Sequence, residues 1–182
     1  MRGKIRLVIV AMLAALLAAG VALATGSFNF NSPMDGAQEA PVPRDTQARG
    51  NAVYKLNGEG TAIQYKLIVA NIENVFMAHI HMAAAGTAGP IVVWLYPSTA
   101  VGVQAPKGGG RIDGVIAQGT ITAANLTGPL TGHPLSELVT LLGNGGVYTN
   151  VHTDDGDLVL NEGPGDFPGG EIRGQIKENG PG

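Results

Sequence analysis

Three histidines in this chain stand at spacings that suit a metal ion. His79 and His81 are two residues apart in Ala78-His79-Ile80-His81, and His152 follows Val151 much later in the chain. Residues i and i+2 of a β-strand project from the same face, about 7 Å apart along the strand. A His-x-His strand can therefore chelate one ion, and neutral imidazole suits copper or zinc. His152 lies in Tyr148-Thr149-Asn150-Val151-His152-Thr153, where it shares a face with Tyr148 and Asn150. If the two strands are neighbours, three imidazoles converge on one point. If they are not, the same histidines read as structural ties that hydrogen-bond backbone carbonyls.

Two groups of charged residues offer other chemistry. Glu171 and Arg173 share a strand face at i, i+2, directly after Gly169-Gly170. If buried, they read as a structural cross-sheet tie, and the paired glycines as a tight turn or bulge where a side chain would clash. Asp154, Asp155, Asp157, Glu162 and Asp166 lie in a glycine-rich loop and supply hard oxygen donors of the kind calcium takes. Their spacing fits no EF-hand, and a solvated acidic loop is the preferred reading of them. There is no G-x-S-x-G elbow, no H-E-x-x-H and no P-loop. Lys107-Gly108-Gly109-Gly110-Arg111 precedes no helix, so it gives no basis for phosphate binding.

The elements that must position these residues are short strands. The chain has 28 glycines and 11 prolines, spread among β-branched runs in the manner of an all-β sandwich or barrel. Ala52, Tyr54 and Leu56 precede the turn Asn57–Gly60. Ile63, Tyr65, Leu67 and Val69 then share one strand face, opposite Gln64, Lys66 and Ile68. Val115, Ala117, Gly119 and Ile121 form another inward set, and Ile172, Gly174 and Ile176 a third. Ile91–Tyr96 is apolar throughout and reads as a central strand. One helix is expected, starting at Pro134, with Leu135, Leu138, Leu141 and Leu142 as its core stripe and Asn144-Gly145-Gly146 as its end.

The N-terminus reads as an export signal, with a retained N-terminal anchor as the alternative to cleavage. Arg2, Lys4 and Arg6 precede the apolar run Leu7–Leu23, and Ala22-Leu23-Ala24 offers a cleavage motif. The expected organisation is signal peptide 1–24, extended lead-in 25–34, one domain over 35–177 and a tail over 178–182. Cleavage would remove three cations, leaving 8 Lys plus Arg against 14 acids and a net charge of −6. Such a chain is expected outside the cytoplasm, periplasmic or secreted, and away from nucleic acid and anionic membranes. The absence of cysteine excludes disulfides, thiolate metal sites and cysteine nucleophiles.

The ordered elements together resemble the CHRD domain, a module first described in chordin. Gly36-Ala37-Gln38-Glu39-Ala40-Pro41, with Pro43, is similar to the family's opening element. Ala78–His81, Gly89–Val93, Gly119, Leu138, Gly146, Tyr148, Asn150, His152-Thr153 and Gly169–Gln175 follow in order. The acidic stretch between His152-Thr153 and Gly169 is longer than the family usually carries. The order His79, His81, Val151-His152 is also similar to the copper-ligand pattern of Cu,Zn superoxide dismutases. The bridging histidine of those enzymes has no counterpart here. The fold expected is a single Greek-key β-sandwich or barrel of about eight strands with one short helix, like those dismutases in outline.

The resemblance implies a non-enzymatic binding or structural module with a protein or glycan partner. The histidines point instead to a copper- or zinc-binding protein, in metal handling or oxidant defence. The two readings differ in what they expect of the structure. A binding module predicts an exposed apolar or aromatic patch, around Trp94, Tyr96 and Phe167. A metal site predicts three imidazoles within a few ångströms of one point.

Overall fold

The structure is a computed structural model, and it describes residues 29–179. The expected signal segment lies outside the described residues. Nine strands and one helix follow in order: β1 (Asn29–Asp35), β2 (Arg49–Leu56), β3 (Ile63–Glu73), β4 (Val75–Met82), β5 (Ile91–Tyr96), β6 (Arg111–Ile121), α1 (Leu135–Asn144), β7 (Val147–Thr153), β8 (Ile172–Gln175) and β9 (Lys177–Glu178). No helix among the described residues is long and apolar enough to cross a membrane.

The strands lie in the order β5-β4-β7-β8-β1-β2-β3-β6, all antiparallel, with β9 on β1. The first three strands are consecutive, and β8 returns beside β1, which is a Greek-key type of connection. The sheet nearly closes into a barrel. β3 passes into β4 through Asn74 alone, whose φ of +56° makes the corner between the two halves. The Asn74 side chain receives the Gly110 N–H and donates to the Gly165 carbonyl, so two loops are pinned at that corner.

The core follows the alternation that the sequence shows. Phe30 and Met34, Ala52, Tyr54 and Leu56, then Ile63, Tyr65, Leu67 and Val69 all point inward and are buried. From the opposite half come Ala78 and Ile80, Val147 and Val151, and Ile172 and Ile176. Each fully buried Leu or Ile contributes about 1.5–3 kcal/mol. Tyr54 Oη and Thr149 Oγ1, 2.8 Å apart, join the halves through the core. The helix closes one end with Leu135, Leu138 and Leu142 buried, and stops at Gly145, whose φ is +70°.

Three sequence expectations are corrected. First, β1 occupies the stretch read as an extended lead-in, and it pairs with β2 along its whole length. Its proline obscured it, since Pro33 removes a ladder donor. β1 pairs with β8 only at Asp35↔Arg173, and Ser32 Oγ adds a bond to the Gly174 carbonyl at 2.7 Å. Second, β5 ends the strand path. It is buried because Leu126 and Leu130 cover it, while Thr127 N–H and Tyr65 Oη donate to its Val92 and Leu95 carbonyls. Third, Val115 is 54% exposed, because a bulge opposite Leu67–Ile68 shifts the alternation of β6 by one residue.

Candidate functional site

β7 is buried along its whole length, and its two faces do different work. Val147, Thr149, Val151 and Thr153 face one way, with Val147 and Val151 in the core. Tyr148, Asn150 and His152 face the other way, under the loops that follow β1, β4 and β7. β4 runs beside it in the register Met77↔His152, His79↔Asn150 and His81↔Tyr148. Ala78 and Ile80 point into the core, so His79 and His81 are on the loop-covered face with His152. The adjacency that the sequence left open is thus present. The three rings have centroids 5.0–5.7 Å apart, and each offers a nitrogen within 4.8 Å of the other two.

Hydrogen bonds fix the tautomers of two rings. His81 Nδ1 is 2.9 Å from the Gly89 carbonyl, and His152 Nδ1 is 2.9 Å from the Pro168 carbonyl. A carbonyl only accepts, so both Nδ1 atoms carry the proton and both Nε2 atoms present lone pairs. His79 Nδ1 lies 3.2 Å from His152 Nε2 and must donate to it. His79 Nε2 and His81 Nε2 are then bare acceptors, and both are buried without a partner. Each such atom costs about 1–3 kcal/mol. Carbonyls holding the far side of ligating imidazoles are the usual outer support of a metal site.

The site also keeps its rings neutral. Burial, followed by the neighbouring imidazoles, pushes His79 down to about 2. Burial and then His81 push His152 down to about 3, against a smaller opposing effect of its bond to Pro168. His81 is lowered as well, chiefly by burial. Neutral imidazole is the ligating form. A zinc ion about 2.0–2.1 Å from each nitrogen needs ligand atoms about 3.3 Å apart, close to the His79–His152 spacing. His79 and His152 are buried, whereas His81 is half-buried and gives the site its opening.

Aromatic rings wall the cluster. Trp94 pairs with His79 across β5 and β4, with centroids 4.2 Å apart and the rings edge to face. Tyr148 stacks on His81 at 5.0 Å, and its hydroxyl accepts the Gly89 N–H. The Arg173 guanidinium lies 3.5 Å from the Tyr148 centroid. His133 is elsewhere, on Glu137 at the start of α1.

The sequence model of one family, the CHRD domain, matches residues 30–176. The chain belongs to the CHRD family. No curated protein and no solved structure matches it.

The closing Gly169–Gln175 segment of this CHRD domain backs the histidine face. Glu171 is fully buried, and its carboxylate accepts from Thr46 Oγ1 at 2.6 Å, Thr153 Oγ1 at 2.7 Å and the Gly165 N–H at 2.9 Å. Arg173 is 2% exposed and donates to the Ala84 carbonyl. Both residues are buried as structural ties, but they do not pair with each other. The acid that faces Arg173 is Glu39, buried and hydrogen-bonded to Asn150 Nδ2. Burial pushes Glu39 up to about 7, and Asn150, Arg173 and Arg44 oppose that shift. The sequence showed Glu39 only as part of the opening element, because its partners lie more than a hundred residues away.

At Gly170 there is no room for a side chain. Its φ is +126°, and an added Cβ would lie 2.8 Å from Glu39 Oε1 and collide with Asn150 Oδ1. Gly169 has only Arg44 Nη2, 3.7 Å from an added Cβ, so no clash requires glycine there.

The expected aromatic patch is absent. Trp94 and Phe167 are buried, Trp94 against His79 and Phe167 beneath the Arg44 guanidinium at 4.7 Å. Tyr96 packs against the core. Both misplaced rings are covered by loops that sequence periodicity does not place.

Proposed function

We propose that this CHRD domain is an exported, non-enzymatic module that holds one copper or zinc ion through His79, His81 and His152. The observation that carries the reading is the pair of buried, unpartnered lone pairs at His79 Nε2 and His81 Nε2, beside His152 Nε2, whose lone pair meets only the His79 ring. A cluster of neutral imidazoles needs no net proton loss to take up an ion. His79 serves through Nε2 as it stands, or through Nδ1 once its proton has moved to Nε2. Export is supported by the basic and apolar N-terminal residues and the Ala22-Leu23-Ala24 motif. The non-enzymatic reading is supported by the bonding of the imidazoles. Among the described residues they bond to carbonyls and to each other, with no hydroxyl nucleophile beside them. A protein or glycan partner would act through another surface.

The test is calorimetric titration of the metal-free protein with Cu(II) and Zn(II), beside His81→Ala and the double variant His79→Ala/His81→Ala. One ion per chain, weakened by the first change and lost with the second, is the expected result. Equal binding by all three proteins would assign the imidazoles to architecture alone.

A further inference from the structure

The acidic loop holds a second cluster that the imidazole site does not use. Asp154, Asp155 and Asp166 each bring a carboxylate oxygen within 4.8 Å of the others. Asp154 and Asp166 are 1% and 3% exposed, whereas Asp155 faces solvent. One cation pairs with them: Lys107 Nζ stands 2.6 Å from Asp154 Oδ2. Three carboxylates against one ammonium leave two negative charges over, which is the charge of one divalent cation. Burial makes an uncompensated surplus of this kind costly.

The oxygens are unevenly served. Asp154 Oδ1 accepts from the Gly156 N–H, Asp155 Oδ1 from the Asp157 N–H and Asp166 Oδ2 from the Glu162 N–H. Asp166 Oδ1 accepts nothing, and it is buried. A carboxylate oxygen sealed from water with no donor is the feature that a cation would resolve.

We propose that Asp154, Asp155 and Asp166 form a calcium site. All three donors are hard oxygens, and calcium accepts 6–8 of these in flexible geometry, with water completing the shell. The group contains carboxylates only, and the nitrogens of His152 face the Pro168 carbonyl and the His79 ring. The placement gives the ion a role. Asp154 directly follows β7, and Asp166 precedes Phe167-Pro168. An ion between them ties the two ends of the loop together. One of those ends carries the Pro168 carbonyl that fixes the His152 tautomer.

The experiment is titration of the chelator-treated full chain with CaCl2, by calorimetry and by thermal melting. Asp155→Asn, Asp166→Asn and His79→Ala/His81→Ala are run beside it. One calcium ion per chain is expected, with Kd about 10⁻⁴–10⁻³ M as in other extracellular modules. Calcium at about ten times Kd raises the melting midpoint by about 3–6 °C. Both aspartate variants weaken binding at least tenfold, and the exposed position of Asp155 makes its variant the one that keeps the fold. The histidine variant binds calcium unchanged, which separates this site from the imidazole site. No calcium heat up to about 10 mM would overturn the proposal, as would binding that both aspartate variants retain.

Discussion

Replacing Glu171 by glutamine tests whether the closing segment is held by a satisfied buried charge. The native carboxylate is fully buried and receives three donors, from Thr46, Thr153 and Gly165. Two effects compete. Removing the charge lifts a desolvation penalty, and neutral replacements of buried charges are sometimes stabilising. Against that, hydrogen bonds to a charged acceptor contribute about 1.5–3 kcal/mol each, roughly twice the neutral value. With its amide oxygen at the Oε2 position, glutamine keeps Thr153 and Gly165 as weaker neutral bonds and turns an N–H toward Thr46. Each of the three bonds then loses about 1 kcal/mol, and with this donor count the bonds outweigh the desolvation penalty. Relief of desolvation returns part of that sum, so Glu171→Gln is expected to lose about 1–3 kcal/mol, or about 2–12 °C in melting temperature for a domain of this size. Urea unfolding near neutral pH measures it, with an unchanged m-value required for the comparison. A variant as stable as the native protein, or more stable, would refute the reasoning, because desolvation would then dominate.

Other expectations follow from the same polar layer. Glu39 has its carboxyl raised from 4.5 to about 7. A raised acid stabilises fully below its unfolded pKa, and that contribution is lost as pH rises toward 7. The stability of the native protein minus that of Glu39→Gln should therefore fall by up to about 3 kcal/mol between pH 4.5 and 7. A flat difference across that window would contradict the burial of this group among Arg44, Arg173 and Asn150. Gly170→Ala forces a positive φ on a side-chain residue and displaces Asn150 and Glu39, and it should cost at least about 2 kcal/mol by chemical denaturation. Trp94 is the single tryptophan and packs on His79. Cu(II) should quench its fluorescence with an endpoint at one equivalent, and His79→Ala/His81→Ala should abolish that endpoint.

Period-two alternation located the inward residues of β2, β3 and β8, because a side chain's face depends only on its position along one strand. The shared face of His79 and His81, and that of His152 with Tyr148 and Asn150, were legible for the same reason. The pairing of β4 with β7 was not, because nothing local in a strand names its neighbour. The bulge in β6 defeated the alternation at Val115, since one extra residue inverts every later face. Trp94 and Phe167 looked available as a patch because loop cover is a tertiary property. Glu171 and Arg173 looked like a pair because they are neighbours on one face. Their partners, the hydroxyls of Thr46 and Thr153 and the carboxyl of Glu39, come from distant segments.

The central claim concerns what meets at His79, His81 and His152. The most direct measurement is X-ray absorption at the zinc edge on the protein loaded with one equivalent of Zn(II). Three imidazole nitrogens at about 2.0–2.1 Å, with the outer-shell scattering of the rings, are expected. A shell of oxygens alone, or a spectrum unchanged when all three histidines are alanine, would contradict it.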